Sequence, residues 1–424
     1  MADVGDWRRS LTASERYTNI QKLTQALKAA SLSRSAFSIE EEAYKNAESR
    51  ASIHRSIPSS EPESPPEPPH STATAEDQEE HDDSPSSPGI TIGPYQNCHY
   101  VASGVTAAVY RSRQRALKVI VETRNLAPHN PTLEAKLLAD LRAASAPNII
   151  PLLSTFHDHD QRLVLVFPYM PFSLDHLLST HRARNGSGSV AAPLPPPVLR
   201  AVFTALFRAL AHLHAQGIVH RDVKPSAVLL SSLSPSPAGR PGDVYLADLG
   251  AAHHPAHSPL LSGEPADAKV LDVGTGPYRA PEALFGHRAY AAPLDLWSAG
   301  CVLAECLRGG EPLFESRPAH EDGSQLGLVL SIFKTLGTPT EETWPEAKGF
   351  RTPPFEMYRV FEGTVEREGW RRVLLGRCGS AGHGGECDEW DEWVGLVERL
   401  VRYESATRVT AAEALRWPCL RGGG

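Results

Sequence analysis

The chain has 424 residues, enough for one large or two ordinary domains, and its net charge of −8 argues against bulk attraction to nucleic acid. Its 32 glycines and 36 prolines point to long loops, no run of 18 apolar residues suits a membrane span, and six scattered cysteines read as free thiols. The opening MADVGDWRRS lacks the apolar stretch of a signal peptide, so a cytoplasmic or nuclear location with no membrane partner is expected.

Residues 1–55 form an N-terminal extension with one predicted helix in SLTASERYTNIQKLTQALKAA. Thr12 and Glu15 have capping-box spacing, and Ile20, Leu23 and Leu27 recur at helical intervals. Residues 56–92 hold nine acids, no lysine or arginine, and a Pro/Ser-rich run that cannot build a core, so they read as a disordered linker. Without those nine acids the rest of the chain is close to neutral.

From residue 93 the pattern changes. CHYVASGVTAAVYRSRQRALKVI predicts a strand, a turn and two further strands, TLEAKLLADLRAA a helix, and RLVLVFPYM another strand. After Pro171 the chain turns helical, in PPPVLRAVFTALFRALAHLHAQG, PLDLWSAGCVLAECL, QLGLVLSIFKTLG and DEWVGLVERLVRYE. The expected domain is α+β and spans 93–421, with a small β-rich lobe at 93–170 and a larger helical lobe at 171–421. Three insert-like loops, RARNGSGSVAAPLPPP, SSLSPSPAGRPG and LGRCGSAGHGGECDE, belong on the surface. The last carries Cys378, His383 and Cys387, three soft ligands at irregular spacing and so too few for a zinc site.

The chemistry-bearing stretches lie inside this domain. His220-Arg221-Asp222 begins HRDVKPSAVLL, with Lys224-Pro225 two residues on and the apolar Val228-Leu229-Leu230 following. Asp248 lies in VYLADLG, 26 residues after Asp222, and Lys118 closes Arg115-Ala116-Leu117-Lys118. Glu134 stands 16 residues beyond Lys118 in the first turns of a predicted helix. Ala280-Pro281-Glu282, Asp295 in DLWSAG and Arg408 in ATRVTAAEALRWP complete the set.

Together these stretches resemble the eukaryotic protein kinase family, a bilobal fold, over residues 95–421. TGPYRAPEALFG, PLDLWSAGCVLAE and SIFKTLGTPTEETWPE are similar to its cyclin-dependent-kinase branch, and several departures are similar to the monomeric fungal CDK-activating kinases. The resemblance implies transfer of phosphate from ATP, with Mg2+, to Ser or Thr of a protein substrate. By it, Asp222 is the base, Lys224 reaches the γ-phosphate, Lys118 holds the α- and β-phosphates, Glu134 orients Lys118 and Asp248 holds the metal. Thr275, in Gly274-Thr275-Gly276-Pro277, joins the catalytic residues. The nucleotide would lie among Ala102, Gly104, Val109, Ala116, Phe167 as gatekeeper, Pro168 and Met170 of the hinge, and Leu229. Asp295 would support the catalytic loop, and Arg408 would pair with Glu282.

Four departures bear on activity and control. Ala227 stands where the family places a metal-binding asparagine. Of the phosphate loop's glycines only Gly104 survives, with Ala102 and Ala107 at the flanking positions. Val270 stands at the position of the activating threonine, which leaves Arg221 without a phosphothreonine partner there. The stretch before Glu134, APHNPTL, lacks the cyclin-binding signature. The last two argue for a monomer without a cyclin, with the activation loop of another kinase as a compatible substrate. The alternative is a weak or inactive kinase-shaped scaffold. Because Lys118, Glu134, Asp222, Lys224 and Asp248 are all present, an active enzyme is the expected reading.

Overall fold

The computed structural model describes residues 89–104, 106–121, 127–185, 192–235, 243–316, 325–350, 369–375 and 386–421. The expected N-terminal helix, nearly all of the acidic linker, the tips of the three inserts, and Cys378 and His383 of the last insert lie outside these residues.

The first lobe is a six-stranded antiparallel sheet with the order β1-β2-β3-β4-β6-β5. Its strands are β1 (Ile90–Ile92), β2 (Tyr95–Ser103), β3 (Ala107–Ser112), β4 (Arg115–Ile120), β5 (Ser154–His157) and β6 (Leu163–Pro168). Alternation sorts β4 by face. Leu117 and Val119 enter a small core with Ile92, Cys98, Val164 and Val166, while Ala116 and Lys118 turn the other way. β1 starts three residues before the expected domain boundary. Ile92 is buried and anchors it, but a three-residue strand beside Pro/Ser-rich chain has too little periodicity to be read from sequence.

Helix α1 (Pro131–Ala143) follows. The Asn130 side chain accepts from Leu133 N–H (2.9 Å), Pro131 opens the first turn, and Leu133, Glu134, Leu137, Leu138 and Leu141 form the buried stripe. Glu134 is thus carried inward on an apolar face. The Asn130 N–H also donates to Gly250 O (3.0 Å), which ties the helix start to the segment holding Asp248.

The second lobe is mainly helical. Helix α2 (Leu174–Asn185) runs past Arg182, where a loop is expected from the sequence; Arg182 and Arg184 in its last turn suit the negative end of the helix dipole. Helix α3 (Pro196–Ala215) is apolar enough by length and composition to cross a membrane, yet Leu199, Val202, Phe203, Leu206, Phe207, Leu210 and Leu213 are spent on the lobe's core. A three-stranded sheet pairs β7 (Phe172–Ser173), β8 (Val228–Leu230) and β9 (Val244–Leu246) in that order, with β8 following the His220–Ala227 loop and β9 preceding Asp248. After it come α4 (Ser258–Leu261), α5 (Pro281–Leu284), α6 (Pro293–Leu307), α7 (Leu326–Leu336), α8 (Trp370–Leu375), α9 (Glu386–Leu400), α10 (Ala411–Ala414) and α11 (Pro418–Arg421). Helix α6 is buried from Leu294 through Leu307 and is the axle of this lobe.

That burial has a titratable consequence. Glu305 of α6 accepts from the Tyr278 hydroxyl (2.7 Å). Burial outweighs this hydrogen bond and, with repulsion from Asp175, pushes Glu305 up to about 7 from 4.5. A carboxyl whose folded pKa is raised binds its proton more tightly in the folded state. Its stabilising contribution is therefore full below 4.5 and lost as pH rises through about 7. Glu305→Gln, which keeps an acceptor for Tyr278, is expected to raise the melting temperature at pH 8 and to leave it unchanged at pH 4. Melting curves across that range check it; equal shifts at both ends would refute the ionisation.

Candidate active site

Lys118 Nζ donates to both oxygens of Glu134 (2.8 and 2.9 Å) and to Asp248 Oδ1 (2.9 Å). β4 supplies the lysine, α1 the glutamate, and the turn after β9 the aspartate. Burial disfavours the Lys118 cation, but Asp248 and Glu134 more than compensate and raise its pKa, so it stays charged. Lys118 in turn pulls Asp248 far below the usual carboxylate range, against burial and with help from Lys224. Asp248 has a left-handed backbone (φ 65°), a costly conformation that persists where its surroundings hold it. Leu249 follows it into the core, the packing expected of the apolar residue in this triplet.

The catalytic loop is held from below. Asp295, fully buried on α6, accepts from the backbone N–H groups of His220 and Arg221 (both 2.8 Å) and bonds His214 Nε2 (2.8 Å). His220 Nε2 donates to Ala247 O (3.0 Å), which leaves Nδ1 to accept from Asp222 N–H (3.3 Å). Asp222 is then fixed on both oxygens: Thr275 Oγ1 donates to Oδ1 (2.6 Å) and Lys224 Nζ to Oδ2 (2.6 Å). Lys224 also reaches Thr275 Oγ1 (3.2 Å). Gly274 (φ 81°) and Gly276 (φ 43°) take left-handed conformations on either side of Thr275, and a Cβ at Gly274 would press within 3.2 Å of Arg279. The five charged residues and Thr275 thus form two contact sets, Lys118–Glu134–Asp248 and Asp222–Lys224–Thr275.

Of the nucleotide-binding candidates, Ala102, Val109, Ala116 and Phe167 share the face of the sheet that carries Lys118, whereas Pro168 falls on the alternate face opposite Arg115. Val109 lies opposite Lys118 and Ala102 opposite Val109, while Ala116 faces Phe167 and Arg115 faces Pro168 across β4 and β6. The last rung is Tyr169 N–H to Gln114 O (2.9 Å), with Met170 just beyond. Leu229 comes from the second lobe, on β8. Ala102 and Ala107 are strand residues with ordinary backbone angles, as is Gly104 in the turn between them, whose N–H donates to Ala107 O (2.8 Å). Alanine therefore fits the backbone at both flanking positions, neither of which is left-handed.

Ala227 sits in a tight turn, Pro225–Ala227, just before β8; Ser226 is exposed there and Ala227 is buried in the core. The position offers carbon and no ligand atom. Asp248 is the open carboxylate of the set, with its side chain 43% exposed against 3% for Glu134 and 10% for Asp222. An ionised, accessible carboxylate beside a fixed lysine suits a magnesium ion on ATP phosphates.

Two contributors escaped sequence reasoning. His129 lies against Gly250: a Cβ there would meet Glu134 Oε2 at 3.3 Å, Asp248 Oδ1 at 3.5 Å and His129 Nδ1 at 3.7 Å. Glycine keeps that junction open. Glu264 pairs with Arg221 in the interior, 43 residues away in sequence. A histidine in APHNPTL and a glutamate in a GEPADA loop carry no local signal.

The protein kinase domain profile matches residues 95–420. The chain is 28% identical over 281 residues to the serine/threonine-protein kinase CAK1 of Saccharomyces cerevisiae, covering 59% of this chain and 75% of that one. It is 29% identical over 291 residues to the serine/threonine-protein kinase ssn3 of Aspergillus terreus, covering 66% of this chain and 62% of that one. Among solved structures, a chain of the CAK complex of Chaetomium thermophilum bound to ATP-gamma-S matches with a TM-score of 0.58 and 29% identity, over 76% of this chain and 90% of that one. With the matched span enclosing every charged group of the cleft, the chain belongs to the protein kinase family, as a serine/threonine kinase of the cyclin-dependent-kinase-like branch that uses ATP and Mg2+.

Proposed function

We propose that this kinase is of the CDK-activating type, phosphorylating a threonine or serine in the activation loop of a cyclin-dependent kinase. Asp222 orients the acceptor hydroxyl and takes its proton, Lys224 and Thr275 fix the Asp222 carboxylate, and Lys118 holds the phosphates under the clamp of Glu134. Magnesium held by Asp248 would neutralise charge on the phosphates. The missing asparagine removes one preorganised contact, a loss of roughly 10²–10³ in rate. That is small beside the total acceleration of such an enzyme, so a scaffold reading is not favoured.

The observation that carries the proposal is the likeness to CAK1, in a chain that keeps a closed Lys118–Glu134 pair. Supporting it, the outward residues of α1 (Thr132, Lys136, Ala139 and Asp140) are small or polar, unlike an apolar docking face for a cyclin. The test is transfer from Mg–ATP by purified protein to a panel that includes a catalytically dead cyclin-dependent kinase and its activation-loop Thr→Ala form. Label on the threonine form and none on its Thr→Ala form is expected. Label on general substrates but not on that kinase would refute the activating role while leaving the enzyme standing.

A further inference from the structure

Arg221 precedes the catalytic Asp222, and its side chain is 1% exposed. All three guanidinium nitrogens are engaged. Nε donates to Ala251 O, Nη1 to Glu264 Oε1 and to the Tyr290 hydroxyl (3.2 Å), and Nη2 to Ala252 O (3.4 Å). Its backbone is left-handed (φ 70°) and is held by Asp295.

Glu264, itself 7% exposed, gathers the activation segment around this arginine. Its Oε1 accepts from Val270 N–H (2.7 Å), and its backbone carbonyl faces His253 Nε2 (3.2 Å). The Tyr290 hydroxyl donates to Val270 O (2.6 Å), and Lys269 lies over the Tyr290 ring (5.2 Å). His253 in turn exchanges backbone hydrogen bonds with Val219, just before the catalytic loop. Burial opposes the charge on Glu264, but Arg221 holds its carboxyl below the usual range. The valine at the activating-threonine position has its N–H and C=O committed to this cluster. Among the segment's serines, Ser258 is buried and accepts from His254 N–H (2.9 Å), while Ser262 is exposed.

We propose that Glu264 is the positioning residue that activates this kinase: a carboxylate of the chain itself that takes the role of an activating phosphate on Arg221 and joins the catalytic loop to the activation segment. The inference rests on the kinase activity and not on the identity of the protein substrate. A guanidinium 1% exposed, with all three of its nitrogens hydrogen-bonded inside the chain, presents no open face to an added phosphate. One carboxylate bridging Arg221 and Val270 N–H couples the loop bearing Asp222 to the segment bearing Thr275.

The experiment uses the full chain made with a co-expressed phosphatase and shown by mass spectrometry to carry no phosphate. The expected result is steady transfer to a general protein substrate, unchanged by pre-incubation with an activating cell extract. Glu264→Ala is expected to lower kcat by about 10²-fold, the scale of a small misplacement of catalytic groups. Glu264→Gln keeps an acceptor for Val270 and should fall by an intermediate factor. KM for ATP should stay within about twofold in both, because the Lys118–Glu134–Asp248 cluster is untouched. Ser262→Ala should behave as wild type. If Glu264→Ala does not fold, the Gln variant carries the test. A folded variant with wild-type kcat, or equal losses in kcat and ATP affinity, would overturn the proposal. So would a wild-type chain that works only after the extract adds phosphate, an outcome that leaves the kinase reading intact. A chain inactive in either state would remove both.

Discussion

Asp222→Asn lowers kcat by about 10²–10⁴-fold, the range for a positioned general base. The change is nearly isosteric. The carboxamide oxygen can still accept from Lys224, and the Thr275 hydroxyl can turn to accept from the carboxamide nitrogen, so both contacts of the native carboxylate have a substitute. What is lost is a group that can take a proton from the acceptor hydroxyl. KM for ATP should stay within about threefold, since Lys118, Glu134 and Asp248 hold one another without Asp222. Steady-state kinetics of both proteins, with matched melting curves, make the measurement. A folded variant with the wild-type rate would show that positioning and charge neutralisation do the catalysis and that Asp222 is not the base.

The charged site was readable because phosphoryl transfer demands particular groups at particular places on strands, helices and turns. Lys118 sits on a strand whose alternation turns it to the cleft. Glu134 sits on the apolar stripe of the next helix, and Asp248 at the end of a short strand. Those are local patterns, and the structure joins them through contacts of 2.8–2.9 Å. Glu264 was not readable, because its partner lies 43 residues away and its neighbours, Gly263 and Pro265, suggest a solvated turn. Val270 shows the same limit from the other side. Its sequence position says that no phosphate can be placed there, but only the fold shows which carboxylate stands in the phosphate's stead. Ala227 is intermediate: the missing amide is plain in the sequence, whereas the tight turn that buries its methyl is a property of Pro225 and the packing around it.

The second large effect falls on stability. Arg408 donates to both oxygens of Glu282 (2.6 and 2.8 Å), to Pro293 O (2.9 Å), Tyr403 O (3.1 Å) and Arg402 O (2.8 Å), with its guanidinium 5.1 Å from the centre of the Trp297 ring. Both side chains are essentially without solvent. Arg408→Leu leaves Glu282 buried and uncompensated, which should cost about 3–5 kcal/mol, a large part of the roughly 5–15 kcal/mol that holds a domain folded. Removing both charges in Arg408→Leu with Glu282→Leu should recover much of that loss, because two apolar side chains of similar volume need no counter-ion. Equilibrium urea unfolding of the three proteins measures it. A single variant destabilised by less than about 1 kcal/mol, the scale of an exposed pair, would contradict the burial seen here. If the double variant is as unstable as the single one, the carbonyl contacts of Arg408, and not its ion pair, hold the end of the activation segment to the last helices of the domain.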